Sequence, residues 1–365
     1  MKHTIRTLAL LLAAALAVAA CGGDDPAPVA SGGDGAPSES DGGEAVTITL
    51  LTHDSFNVSE SVFEEFTDDT GITVEVLPSG DAGAMVNQAI LTKGDPQGDV
   101  LFGIDNTFLS RALDEDLFVA YESPELSGVP AELQLDEEHR VTPIDTGDVC
   151  LNYDKSGLAE AGLQPPASLG DLLDPEYEGT LLVQNPATSS PGLAFLLATV
   201  AEFGEDGWQD FWSSLAANDV EVAAGWEEAY YGSFSGSAGS EGDRPIVVSY
   251  ASSPPAEVIF AEEPLDDAPT GVVVDSCYRQ IEFAGILSGT EHEAEASQLI
   301  DFMLSVTFQS DIPLNMFVYP VTDVELPEEF VQYGAEAEDP YLVDADVVAD
   351  NRDDWIEEWT DIVLR

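Results

Sequence analysis

The chain has 365 residues, with 10 Lys and Arg set against 71 Asp and Glu, giving a formal charge of −61. That balance excludes a nucleic-acid-binding surface and a polybasic membrane patch, because both need clustered cations. Hydrophobic residues make up 44% of the chain, so a folded core under an acidic skin is expected rather than disorder, and the self-repulsion of that skin points to a protein that works in high salt.

Lys2 and Arg6 precede an apolar run from Leu8 to Ala20, which reads as a secretory signal too short to span a membrane. Val18-Ala19-Ala20-Cys21 resembles the lipobox of bacterial lipoproteins. Residues 1–20 would then be removed as a lipoprotein signal peptide, and Cys21 would carry the lipid. With no twin Arg, the general secretory route is expected. Residues 21–45 are mostly Gly, Ser, Pro, Ala and acids and read as a flexible tether. Together these segments imply a protein anchored by lipid at the extracytoplasmic face of the cell membrane. Cys150 and Cys277 are open to two readings, a disulfide or two buried thiols. No Cys-x-x-Cys or His-Glu-x-x-His motif occurs, so no metal site is predicted.

The globular part is expected to start near residue 46. Residues 46–51 are rich in β-branched and aliphatic side chains and read as a strand. Asn57 and Glu60 suggest a capping box for a helix running to about Asp69, stopped by Gly71. Residues 73–77 read as a strand, 83–93 as a helix, 99–103 as a strand and 108–114 as a helix. This alternation predicts a parallel sheet with helices on both faces. Residues 141–153 form the longest strand candidate, long enough to pass between two domains. A second series follows: strands at 180–183, 220–223 and 246–250, and helices at 191–203 and 226–231. Strands at 271–274 and 278–283 flank Cys277, and helices at 294–304 and 350–364 close the chain.

Ligands of open α/β sheets sit beyond the carboxyl ends of strands. His53-Asp54-Ser55, Ser79-Gly80-Asp81, Asp105-Asn106, Thr188-Ser189 and Tyr250 all follow predicted strands. Ser190 suits an N-cap and Pro191 the first helical position. The hydroxyls of Thr188, Ser189 and Ser190 with the N–H groups of that helix start could hold an anion, or could simply cap the helix. Trp226 could stack on a flat ring or a cation, or could belong to the core. No Gly-x-Ser-x-Gly surrounds a serine, and no carboxylate pair stands out among the acids. The chain is therefore read as a non-enzyme with no cofactor.

Several segments taken in order resemble a known family. They are Thr52–Phe56, Asp99–Asn106, Asn152–Lys155, Pro186–Gly192, Gly225–Tyr230, Ser249–Pro254 and Val318–Val321. They are similar to the thiamine-binding branch of the solute-binding proteins of ABC importers, and they cover nearly all of residues 46–365. The resemblance implies the type II periplasmic-binding fold, with two α/β lobes joined by hinge strands. Lobe 1 would be 46–142 plus 278–330, and lobe 2 would be 143–277 plus 331–365. It implies thiamine or a thiamine phosphate as ligand, a permease with its ATPase as partners, and a monomer. The acid that contacts thiamine matches Asp81, beside Ala82. The hydroxyl pair matches Ser189 and Ser190, the tryptophan matches Trp226, and the Tyr-to-Ser stretch matches Tyr250, Ala251, Ser252 and Ser253. His53 and Phe317 replace residues that are aromatic Tyr and Trp in well-known members, and Asp105 lies in a matching loop. A phosphorylated ligand would place its anion at residues 188–192. If the hinge strands are neighbours, Cys150 and Cys277 would form a disulfide that pins the hinge.

Three other readings are open. The adjacent Tyr230 and Tyr231 could ligate ferric iron in a protein of the same superfamily. A secreted hydrolase using paired acids, or a structural surface lipoprotein, would belong to other classes.

Overall fold

The structure is a computed structural model that describes residues 46–261 and 263–365. The expected signal peptide, Cys21 and the tether lie outside the described residues. No helix among the described residues is long and apolar enough to cross a membrane.

The chain opens with β1 (Thr47–Thr52), α1 (Glu60–Thr70), β2 (Thr73–Pro78), α2 (Ala82–Leu91), β3 (Val100–Asp105) and α3 (Leu109–Asp114). The expected capping box is not made. Ser59 is the N-cap of α1, and its N–H and hydroxyl both donate to Asp311. Asn57 instead faces Asn315, because Asp311 already serves the helix start from outside it. Gly71 closes α1 at φ 75°, a left-handed conformation that costs glycine little.

After β4 (Phe118–Val119) comes β5 (Thr142–Asp154), then α4 (Lys155–Ala161), β6 (Leu181–Gln184), α5 (Ser190–Phe203), α6 (Trp208–Ala217), β7 (Glu221–Ala223), β8 (Ile246–Tyr250) and α7 (Pro254–Ile259). The predicted helix at 226–231 is instead a short helical start that widens into a π-helical turn at Glu228–Ser233. The Phe234 N–H accordingly reaches back five residues to the Ala229 carbonyl. The chain ends with β9 (Thr270–Leu287), α8 (Glu293–Met303), α9 (Val306–Asn315), β10 (Tyr319–Pro320), α10 (Glu328–Tyr333) and α11 (Ala345–Val363). The two short strands expected around Cys277 are one strand of 18 residues. The closing helix begins five residues earlier than its expected start at 350, because Val348 joins Trp355 and Trp359 on its buried side.

The strands form one mixed sheet in the order β2-β1-β3-β9-β5-β8-β6-β7. β1 pairs in parallel with β2 and β3, and β6 with β7 and β8. Between these two parallel groups run β5 and β9, antiparallel to each other. Residues 142–146 of β5 pair with 281–284 of β9, beside β3. Residues 151–154 of β5 pair with 270–273 of β9, on the β8 side. The two long strands thus belong to both halves. Their register breaks between Val149 and Leu151, where Cys150 and Cys277 form a disulfide with Cα atoms 4.1 Å apart. The ion pair of Arg279 with Asp148 lies next to it.

Each half has its own packed side chains. Val62 and Phe66 of α1 and Leu299 and Met303 of α8 lie with Phe308 against Ile48, Leu50 and Phe102 of the sheet. On the other side, α5 is buried from Ser190 to Val200. Trp208, Phe211, Trp212 and Leu215 of α6 fall on one helical face, and Trp212 meets Trp359 of α11 edge-on at 5.4 Å.

Candidate functional site

In both halves the strand order reverses around one parallel strand, β1 in one and β6 in the other. The loops beyond the carboxyl ends of the parallel strands open on a single cavity of about 380 Å³. β1 supplies His53, Asp54 and Ser55. β2 leads to Asp81 and Ala82 at the start of α2, β6 to Ser190 and Pro191 at the start of α5, and β8 to Tyr250 and Ser253. The turn after β7 brings Trp226, Glu227, Tyr230 and Tyr231, and the segment after α9 brings Phe317.

Asp81 stands at the centre of this convergence. Its Oδ1 accepts from Ala82 N at 2.6 Å and Ser190 N at 3.4 Å, and its Oδ2 accepts from Trp226 N at 2.8 Å. The starts of α2 and α5 and the turn at Trp226 all aim N–H groups at one carboxylate. Gly225 permits this approach, since a Cβ there would lie 3.0 Å from Asp81 Oδ2. Burial pushes the Asp81 carboxyl up to about 6, against the lowering effect of Trp226 N–H, Ser189 and Ala82 N–H. The anion site expected at residues 188–192 is therefore occupied from within the protein. Ser189, not Ser190, is the N-cap of α5, and its hydroxyl accepts from Gly192 N at 3.5 Å. Ser190 is the first helical residue and Pro191 the second, because Ser189 holds the extended backbone that a cap requires.

Aromatic rings build one wall. Trp226 stacks on Tyr230 with centroids 4.9 Å apart and planes 17° apart. Tyr231 stands edge-on to it, and Tyr250 lies 6.4 Å away, tilted. Trp226 Nε1 donates to Ser249 Oγ at 2.9 Å, which fixes the indole. The tyrosine pair considered as an iron ligand is split in its chemistry. The Tyr230 hydroxyl donates to Glu257 at 2.9 Å, and burial holds that phenol well above its ordinary pKa, while Tyr231 is half exposed. Among the described residues no cluster of three or more His, Cys, Asp or Glu is arranged to hold a metal ion.

Of the expected site residues, Asp81, Ala82, Ser190, Trp226, Tyr250, Ser253, His53 and Phe317 line the cavity. Four others lie behind it. Ser189 is buried as the cap of α5. Ala251 packs against Cys150 and Cys277. Ser252 is buried and donates to the Phe317 carbonyl at 2.6 Å. That bond braces Phe317 in a left-handed conformation, φ 55°, which is costly for a bulky residue. Asp105 is buried, with Oδ1 accepting from Thr107 Oγ1 at 2.7 Å, and burial pushes its carboxyl up to about 6.

The floor holds residues that sequence reading did not single out. Asp105 of β3, Glu282 of β9 and Asp145 of β5 are direct cross-strand neighbours, three acids in one row. All three are buried, and neither oxygen of Asp145 has a hydrogen-bond partner among the described residues. Burial raises Asp145 to about 7, and burial plus the adjacent Asp145 raises Glu282 well above the carboxylate range. The pair therefore carries a proton at neutral pH. His53 Nε2 is 3.8 Å from Glu282 Oε2, yet burial lowers His53 to about 4. Burial therefore keeps His53 neutral at pH 7 in spite of that neighbour. At the mouth, Asp54 and Glu227 are exposed; each is raised by burial first, and Glu227 also feels Asp54. Phe260 covers Phe317 edge-on at 5.5 Å, an aromatic contact supplied from α7's end that no sequence segment suggested.

Comparison with known proteins fits this geometry. Residues 95–337 match the family described as bacterial extracellular solute-binding protein. The chain is 31% identical over 323 residues to the thiamine-binding periplasmic protein of Salmonella typhimurium, covering 87% of this chain and 94% of that one. A solved periplasmic thiamin binding protein superposes with a TM-score of 0.77 at 26% identity, over 87% of this chain and 96% of that one. The ferric binding protein from Campylobacter jejuni shares the fold, with a TM-score of 0.68 at 17% identity over 86% of this chain and 99% of that one. The architecture is the type II periplasmic-binding fold, two α/β lobes joined by β5 and β9. The chain belongs to the family of bacterial extracellular solute-binding proteins.

Proposed function

We propose that the protein captures thiamine in this cavity and delivers it to the permease of an ABC importer, which its ATPase drives. One observation carries the reading. The cavity is lined by Asp54, Asp81, Glu227 and Glu282 and by the rings of Trp226, Tyr230, Tyr231 and Tyr250, and among the described residues no Lys or Arg lines it. Carboxylates and aromatic faces together suit a flat organic cation. Thiamine carries a permanently charged thiazolium and a planar aminopyrimidine. The names of the relatives agree with that ligand.

In this reading Asp81 pairs with the thiazolium and Trp226 and Tyr250 offer it their faces. Ala82, Ser190, Ser253, His53 and Phe317 complete the walls, while Ser189, Ala251, Ser252 and Asp105 brace them from behind. The lobes divide as 46–142 with 278–330 and 143–277 with 331–365, and they close on the ligand by a hinge motion. Cys21 carries the lipid that holds a monomer at the extracytoplasmic face. Mass spectrometry of ligand released from the purified protein tests the reading. Thiamine in the released fraction, and about 2.7 kcal/mol of stabilisation at 100 times Kd, are expected. Release of iron or another solute, with no stabilisation by thiamine, overturns it.

A further inference from the structure

We propose, on the thiamine reading above, that capture of a cationic ligand drives a proton out of the Asp145 and Glu282 pair at the cavity floor, so that binding is linked to proton release. Asp145 and Glu282 are direct partners across β5 and β9, and Asp105 of β3 lies opposite Glu282 on its other side. Side chains of directly opposed residues project from the same face of a sheet. Asp145 and Asp105 are 0% exposed and Glu282 is 6% exposed. The groups around the pair do not neutralise it. β10 sets Pro320 opposite Asp145. Gln280 Nε2 donates to Glu282 Oε1 at 3.0 Å, and the Tyr250 hydroxyl donates to Gln280 Oε1 at 3.3 Å. His53, 3.8 Å from Glu282, is neutral, and Asp81 adds negative charge from the start of α2. Every Lys and Arg among the described residues has its ion-pair partner elsewhere. Two adjacent carboxyl groups shut off from bulk solvent and without a cation cannot both be charged, so in the empty protein one keeps a proton.

Glu282 is the member of the pair that lines the cavity, and Asp81 lines it too. A cation held by Asp81 acts on Glu282 twice, with the same sign. It cancels the Asp81 charge that Glu282 feels, and its own field favours the ionised form. Dehydration by the ligand opposes this, but has little left to act on because the pair is already buried. The proton passes to solvent, and the pair goes from one negative charge to two. The floor thus supplies its full countercharge only when a cation fills the cavity. Affinity rises with pH for as long as the empty pair holds its proton, by at most about tenfold per pH unit for one proton. Asp81 and Asp105, each raised to about 6, are almost wholly ionised at about pH 7.5. Asp54 and Glu227 at the mouth are exposed and are ionised there as well. A proton released at that pH comes from the pair.

Titration calorimetry of the full chain with thiamine at about pH 7.5, in phosphate and in Tris, counts the protons exchanged, because the two buffers differ in their heat of ionisation. Release of roughly 0.5–1 proton per thiamine is expected, with a gain of about three- to tenfold in affinity between about pH 7 and 8. Asp145→Asn should release fewer protons than the parent. The double variant Asp145→Asn/Glu282→Gln should release almost none, and its affinity should be nearly flat over the same range. Thiamine bound by the parent with no proton exchange, or with uptake, overturns the linkage and leaves the thiamine reading standing. Release from Asp145→Asn or from the double variant equal to that of the parent overturns the assignment to this pair. A parent protein that binds no thiamine at any pH overturns the thiamine reading, and the linkage falls with it.

Discussion

Replacing Asp81 with Asn separates two roles that the carboxylate plays at once. In the empty protein its charge is unfavourable. Burial raises its pKa from 3.8 to about 6, so ionising it at pH 7.5 costs the fold up to about 3 kcal/mol. This is an upper bound, because Asp81 keeps some contact with solvent through the cavity. Because the folded-state pKa is the higher one, this stability is present below pH ~4 and is lost as pH rises through about 6. Asn removes the cost, but its Nδ2 cannot accept from whichever of Trp226 N or Ala82 N it faces, and that loses roughly 1.5–3 kcal/mol. The two effects nearly cancel, and the variant should unfold within about 1.5 kcal/mol of the parent. With thiamine bound the balance changes. A cation about 4 Å from the carboxylate, at an effective dielectric constant near 20, loses at most about 4 kcal/mol when the charge goes. A loss of tenfold in affinity, about 1.4 kcal/mol, is the least expected. Urea unfolding and calorimetry measure the two sides on the same protein. Thiamine affinity within about threefold of the parent, together with a large loss of stability, would refute the assignment; Asp81 would then be a helix cap and nothing more.

The Asp145 and Glu282 pair gives the pH dependence a second component. Burial raises Asp145 to about 7, and burial with the neighbouring Asp145 raises Glu282 well above its ordinary value, so the fold should lose stability as pH rises toward about 7. Asp145→Asn should flatten the slope of unfolding free energy between pH 6 and 8, and an unchanged slope would show that the pair does not titrate there. The disulfide closes a separation of 127 residues. Cys150→Ala/Cys277→Ala should therefore cost about 4–5 kcal/mol in denaturant unfolding, and non-reducing peptide mapping of the parent should recover one linked peptide; two alkylatable thiols would rule the bridge out. With 61 uncompensated charges, Tm should climb as sodium chloride is raised from ~0.1 to ~2 M, and a flat or falling Tm would count against a chain built for salt.

The sequence-legible part of the site is the part made by local pattern. β-branched runs mark β1 and β8, and the polar loops that follow parallel strands point toward one cleft because sheet chirality brings those ends together. Cap positions are not contained in local pattern: Ser189 and Ser190 are chemically equivalent neighbours, and the backbone conformation alone decides which is the cap. α6 did carry a signal in the apolar spacing of Trp208, Phe211, Trp212 and Leu215. α9 was masked by Pro313 inside it. Glu282 and Asp145 could not be picked out from 71 acids. What distinguishes them is the pairing of β9 with β5 and β3, a long-range register that no local pattern contains.

The bridge between β5 and β9 also limits how the molecule can move. A covalent link placed where two antiparallel strands change from one half of the sheet to the other lets them bend and twist but forbids sliding past one another. Closure by shear along these strands is excluded, and rotation about them is what the chain can still do. Asp145 and Glu282 are paired across the same two strands, so a rotation of this kind should leave their pairing intact. The base of the cavity should then hold its geometry while the two halves turn about it, so that a hinge motion reshapes chiefly the loops around the opening.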